Sequence, residues 1–185
     1  MRTLFLLALA ALAAAIAAPA TAQNACPEGS YSVSHAPDGT SLSILFDNMI
    51  VEAGGDARKQ CNLHVPLTLP ENTSLGVYRV DYRGFALLPR GASAELTVDY
   101  NLGPKDNGRR FKRTAKGQLE GDFAFTENIG RGLMRRVGCG VEAALDVEVA
   151  LTLSAGNAGE AMATLDSTDG TGRHGLVYFL DLARC

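Results

Sequence analysis

Tryptophan is absent from the 185 residues, and the remaining aromatics are five Tyr and seven Phe, one Phe lying at position 5. A surface that stacks sugar rings on aromatic platforms is therefore poorly supplied. Tyr78, Tyr82 and Tyr100 can form a strip only if they share an outer face, and tyrosines on half-buried strands usually pack instead. The common hydrolase signatures are missing too: there is no Gly-x-Ser-x-Gly elbow, no His-Glu-x-x-His, no Ser-x-x-Lys and no phosphate loop. Histidine is scarce, with His35, His64 and His174 each standing alone. A catalytic triad is recognised by geometry rather than chain order, so these three stay open to a distant serine and acid. No two of the four cysteines lie within four residues of each other, which removes the close pair that usually nucleates a zinc site.

What the chain does have begins with its first 22 residues, which have the form of a signal peptide. Arg2 supplies a positive start, Leu4 to Ala18 is an unbroken apolar run, and Ala20-Thr21-Ala22 is the small-x-small pattern of a processing site. As a helix, about 15 apolar residues rise only about 22 Å, short of a hydrocarbon core roughly 30 Å thick, so no membrane span is expected. Gln23-Asn24-Ala25 before Cys26 lacks the aliphatic residue that a lipoprotein site carries three positions upstream. Cleavage after Ala22 leaves residues 23–185, one domain, with 16 of the 17 basic side chains against 20 acidic ones. That mild acidity argues against a nucleic-acid binder.

Cys26, Cys61, Cys139 and Cys185 all fall in the exported part, and an even count in such a chain reads as two disulfides with no thiol left for catalysis. Of three connectivities, Cys26 with Cys61 and Cys139 with Cys185 is expected, because each bridge then closes a moderate loop of neighbouring strands.

Period-two alternation recurs along the chain, the mark of strands with one buried face. It runs through Leu42, Ile44 and Phe46, through Cys61 to Leu69, through Leu75 to Leu88 with Gly84 read as a bulge or bend, and through Ala94 to Tyr100. Further strands are expected around Phe111, around Phe123 and Phe125, over Leu145 to Leu153, over Met162 to Leu165, and over Leu176 to Leu182. Turn signals such as Pro37-Asp38-Gly39, Gly54-Gly55 and Pro89-Arg90-Gly91 separate them. Asn128 to Val137 is the one segment whose pattern admits a short helix. Nine or ten short strands without alternating helices predict an all-β fold, an antiparallel β-sandwich with two disulfides.

Two segments carry chemistry worth naming. Asp166-Ser167-Thr168-Asp169-Gly170 resembles part of a calcium loop, with Asp166 and Asp169 as weak metal candidates, yet Gly170 falls fifth rather than sixth and position twelve is Val177 rather than Glu. An ordinary turn uses the same residues to hydrogen-bond its own backbone. Elsewhere no metal or cofactor is expected. Lys105 to Lys116 holds six basic residues in twelve, and Arg109, Arg110, Lys112 and Arg113 form a candidate anion-binding stretch around Phe111. Charged edge strands also guard against sheet-to-sheet aggregation, which is the competing explanation.

Cys26-Pro27-Glu28-Gly29-Ser30, Asp38-Gly39-Thr40, Leu45-Phe46-Asp47, Arg58-Lys59-Gln60-Cys61-Asn62-Leu63, Tyr82-Arg83-Gly84-Phe85, Gly91, Cys139-Gly140, Asp166 to Gly170 and the terminal Cys185 occur in an order that resembles the secreted family catalogued as domain of unknown function 4360, found in fungi and bacteria. The resemblance implies export and a cysteine framework, and no activity, ligand or catalytic residue. The family often carries Trp-Ser-Pro before its Cys-Gly and Trp near its last Cys, where this chain has Arg136-Val137-Gly138 and Leu182.

These features favour a secreted or periplasmic, non-enzymatic β-domain that binds a cell-envelope or extracellular polymer, an anionic polysaccharide being the partner the basic stretch suggests. A secreted hydrolase built from His64 or His174 with distant residues is the first alternative; a structural or inhibitory surface protein is the second. Mass spectrometry of the exported protein is expected to find an N-terminus within a residue or two of Gln23 and no lipid on Cys26; a retained leader or an acylated Cys26 contradicts this.

Overall fold

The computed structural model describes residues 23–24, 26–27, 29–103, 108–131, 135–157, 159–165 and 175–185. Among them are thirteen strands and no helix: β1 (Gln23–Asn24), β2 (Tyr31–His35), β3 (Ser41–Phe46), β4 (Ile50–Glu52), β5 (Arg58–Leu67), β6 (Thr73–Leu88), β7 (Ser93–Leu102), β8 (Arg109–Lys116), β9 (Leu119–Asn128), β10 (Arg136–Gly138), β11 (Ala143–Ser154), β12 (Met162–Thr164) and β13 (Gly175–Arg184). The long strands fall where the alternation puts them. Four strands lie beyond the nine or ten expected: β1, β4 and β10 span two or three residues, too short to show a period, and β2 has no buried residue to mark a face.

The strands form two sheets, five-stranded in the order β1-β5-β11-β7-β8 and eight-stranded along β2-β3-β13-β6-β12-β4, with β9 and β10 also paired to β6. Every pairing is antiparallel except the two-residue β1–β5 contact. The inner faces meet in one core. Leu63, Val65, Leu96, Val98, Leu145, Val147, Val149 and Leu151 come from the five-stranded sheet; Leu42, Ile44, Phe46, Val80, Tyr82, Leu176 and Tyr178 come from the other. This is the expected sandwich, because each sheet has one apolar face that only the opposite sheet can cover.

β6 interrupts its own alternation. Opposite β13 the register steps from Phe179↔Arg79 to Leu180↔Val77, so Tyr78 is an extra residue. Leu75 and Val77 point inward before it; Val80, Tyr82, Ala86 and Leu88 do so after it, and the core phase moves from odd to even positions. The bulge thus lies at Tyr78 rather than at Gly84. Gly84 is instead a point of close approach, since a Cβ there would sit 2.1 Å from the Thr164 carbonyl oxygen and 2.7 Å from Phe123 Cζ. At this residue the edge of β6 changes partner, from β13 ending at Arg83 to β12 beginning at Phe85.

The short helix expected over Asn128 to Val137 is absent from the described part of that segment. β9 continues to Asn128, and Ile129 and Gly130 then donate their amides to the Tyr78 carbonyl at 3.0 and 3.2 Å. Arg136–Gly138 pairs with Gly76–Ser74. Backbone groups that a helix would satisfy locally are satisfied by β6 instead.

Both disulfides have the expected connectivity, Cys26–Cys61 and Cys139–Cys185, and no cysteine is free. The first is buried and fixes the chain beside β5 just after β1. The second spans the start of β6: Gly138 and Arg184 end strands on its two edges, the Cys139 amide donates to Thr73 and the Cys185 amide to Asn72. With its cysteines 46 positions apart in the sequence, this bridge removes enough loop entropy from the unfolded chain to stabilise the fold by about 4 kcal/mol. Replacing Cys139 and Cys185 by Ala is expected to lower Tm by roughly 10 °C in calorimetry; an unchanged Tm would show that the flanking strands hold without it.

Candidate functional site

The outer face of the five-stranded sheet is polar in regular rows. Because β5, β11 and β7 pair antiparallel without a register break, each outward position meets a neighbour on the next strand. One row runs His64, Asp146, Asn101; the next Asn62, Glu148, Asp99, Arg110; the third Gln60, Ala150, Thr97, Lys112; the fourth Arg58, Thr152, Glu95, Thr114. The first two rows line a shallow depression of roughly 780 Å³, reaching from Asn62 and His64 on β5 to Arg109 and Arg110 on β8.

The side chains there hold one another. His64 Nδ1 lies 2.5 Å from Asp146 Oδ1. With its amide nitrogen turned toward Asp146, Asn101 donates to Asp146 Oδ2 at 3.2 Å and to the Gly103 carbonyl at 3.2 Å. Gln60 donates to Glu148 Oε1 at 2.9 Å. Arg110 grips both oxygens of Asp99, at 2.7 and 2.9 Å, in the bidentate geometry that guanidinium favours.

The basic stretch is accordingly engaged within the protein. Arg110 pairs with Asp99, and Lys112 with Glu95 at 2.8 Å. Asp99 holds the Arg110 guanidinium above its usual range, while Lys112 keeps the Glu95 carboxyl below the ordinary carboxylate value. Arg113 lies over the Phe111 ring at 4.9 Å and donates to the Lys112 carbonyl. Arg109 turns toward Glu127 of β9, Nε to Oε1 at 3.5 Å. Lys105 lies outside the described residues, as do the calcium candidates Asp166 and Asp169 and the third histidine, His174. Among the described residues no group of three or more His, Cys, Asp or Glu is placed to hold a metal ion. His35 lines a separate, largely aliphatic cavity with Leu67, Leu69, Leu75, Leu180 and Leu182.

Tyr78, Tyr82 and Tyr100 share no outer strip. Tyr78 sits at the bulge, while Tyr82 and Tyr100 are buried on opposing sheets, Tyr82 stacked on Phe111 with ring centroids 3.9 Å apart. Their hydroxyls both donate to Glu127 Oε2, at 2.8 and 3.1 Å, which leaves Oε1 facing Arg109. Tyr100 meets the buried Tyr178 edge to face at 5.5 Å. Sequence reasoning passed over Glu127, Asp99, Asp146, Glu148, Asn62 and Asn101. Apart from Asn62, which falls in the stretch that carries the family resemblance, their signal was membership of the polar phase of an alternating strand, which most surface residues share.

Among the described residues lining the depression there is no serine, threonine or cysteine. Among those residues His64 and Asp146 are not joined by a serine, threonine or cysteine, the nucleophile that a Ser-His-Asp arrangement places within hydrogen-bond reach of its base.

Burial raises the ionisation of Tyr82, Tyr100 and Tyr178 well above the usual phenol range, and the nearby Glu127 carboxylate adds to it. A group whose pKa is higher folded than unfolded stabilises the protein below its unfolded value, near 10 for Tyr, and that stability is lost as pH rises past it. In a Tyr31→Phe/Tyr78→Phe variant only these three phenols remain. Its phenolate absorbance is expected to stay silent past pH 10 and to appear together with the circular-dichroism change of unfolding; separate ionisation ahead of unfolding contradicts the buried cluster.

The family pattern described as domain of unknown function DUF4360 matches residues 14–185, and the chain belongs to that family. It is also 27% identical over 151 residues to an uncharacterized secreted protein of Arthroderma benhamiae, an overlap covering 78% of this chain and 61% of that relative. The chain therefore spans about three fifths of the length of the curated relative it matches. Two disulfides need an oxidising compartment, so the protein is secreted or periplasmic. Among the described residues no helix is long and apolar enough to cross a membrane.

Proposed function

We propose that this member of the family is a non-enzymatic exported domain that binds a cell-envelope or extracellular polymer along the outer face of its five-stranded sheet. The observation that carries the reading is the depression of roughly 780 Å³ in which amides, carboxylates and guanidinium groups from four adjacent strands converge. Its floor is a rigid, disulfide-anchored sheet, so its polar groups are ordered before any ligand arrives, which lowers the entropy cost of binding. An open, elongated face suits a chain that runs across strands better than a small enclosed ligand. Of the basic stretch that brings an anionic polysaccharide forward from the sequence, Arg109 and Arg110 line it, and Lys112 lies one row further along the same face.

The alternatives have weaker support. Among the described residues no serine, threonine or cysteine lines the depression beside His64 and Asp146, so no triad supports a hydrolase there. An inhibitor of the disulfide-tethered-loop kind needs a protruding bridge, whereas Cys26 and Cys61 lie in the core and Cys139–Cys185 clamps strand ends.

Co-sedimentation with insoluble envelope fractions and extracellular polysaccharides tests the reading. The wild-type protein is expected in the pellet with at least one of them, the pelleted fraction falling to background in an Asn62→Ala/Glu148→Ala variant that melts normally. No binding across the panel, or release of soluble fragments from the polymer by the protein, overturns it.

A further inference from the structure

Resting on that reading, we propose that the polymer is an uncharged, hydroxyl-rich glycan, taken up through hydrogen bonds to the His64–Asp146–Asn101 and Asn62–Glu148–Asp99 rows, rather than an anionic one drawn to the basic strand. The charge arrangement decides this. Among the described residues lining the depression, Asp99, Asp146 and Glu148 supply three carboxylates, against two permanent cations in Arg109 and Arg110. The lining that the basic run was expected to make positive thus carries one more negative than positive side chain among the described residues, and it offers a polyanion no net attraction.

Nor are those cations available. A sulfate or uronate approaching Arg110 has to displace both oxygens of Asp99, a bidentate partner supplied from the directly opposite position on β7. Arg109 is tied to Glu127, whose other oxygen is already held by Tyr82 and Tyr100. Releasing Arg109 leaves a half-buried carboxylate without its counter-charge, which is costly in a poorly solvated site. An incoming anion thus exchanges one ion pair for another and gains little. A cationic chain meets the same obstacle from the other side, because Asp99 and Asp146 are each held through both oxygens.

A neutral hydroxyl-bearing chain needs no ion pair to open. A hydroxyl both donates and accepts, so it can give its proton to the remaining lone pairs of a paired carboxylate while accepting from an amide nitrogen. The two rows alternate such groups: Asn62 beside Glu148, and Asn101 and His64 on either side of Asp146. Asn62 and Glu148 are exposed on this face. With no aromatic platform, each sugar contributes little, and affinity has to come from repetition along the polymer.

The test compares retention on chitin, which is neutral, on chitosan, which shares its backbone but is cationic, and on heparin, which is anionic. Each is run from about 0.01 M to about 1 M salt, a range over which the screening length falls roughly tenfold. The expected result is retention on chitin that does not change with salt. It should be lost in Asn62→Ala/Glu148→Ala and kept in Lys112→Ser/Arg113→Ser, since neither residue lines the depression. Retention only on heparin, falling steeply with salt and abolished by Lys112→Ser/Arg113→Ser, overturns the neutral-glycan inference while leaving the polymer-binding reading intact. Retention only on chitosan, weakening with salt, overturns it likewise. Retention on no matrix at all overturns both.

Discussion

One strand, Thr73–Leu88, carries the hydrogen bonding of four others. Along one edge it pairs first with β13 and then with β12, and along the other with β10 and then β9. A sixteen-residue strand is long enough to serve two partners per edge, yet it also has to twist and keep an apolar face on the core throughout. The extra residue at Tyr78 and the missing Cβ at Gly84 meet that need: the first resets which side chains point inward, and the second admits the Thr164 carbonyl. The disulfide at the strand's start then ties the ends of its two flanking strands together.

The two sheets are joined by more than apolar contact. Tyr82 from the eight-stranded sheet and Tyr100 from the five-stranded one donate to the same oxygen of Glu127. Such a buried polar cluster is stable only when its members are satisfied, and here one carboxylate takes two phenols and a guanidinium. On the outer side of the eight-stranded sheet Asp81 does comparable work, accepting from Arg79, Arg83 and Thr126 although it is almost wholly buried. Arg79 in turn stacks over Phe179 at 3.6 Å, so the charged and aromatic residues of that face are used against each other.

The polar depression depends on this frame. Its residues come from strands distant in the chain, His64 and Asp146 being 82 residues apart and Gln60 and Glu148 88 apart. Unbroken antiparallel register over ten residue pairs keeps them in line. The same register brings Asp99 against Arg110, which turns a run of positive charge in the sequence into closed ion pairs on the folded surface.

Nine of the thirteen strands, the sandwich and the bridges were legible in the sequence, whereas β1, β2, β4 and β10 were not. Pleat geometry imposes a period of two, so Leu63, Val65 and Leu67 or Val147, Val149 and Leu151 announce a buried face wherever they pair. The cysteine pairing was legible for a similarly local reason, since each bridge joins segments that lie beside one another in the fold. Only the tertiary structure decided where β6 changes phase, because a bulge shows itself through the partner strand rather than through composition. The absent helix before Val137 has the same origin: those backbone groups found partners on β6. Only the tertiary structure, too, decided the charge of the candidate surface. A run of Arg and Lys is a property of one strand, whereas the potential above a sheet is set by what the neighbouring strands place beside it, and strand order is fixed by packing of the whole core.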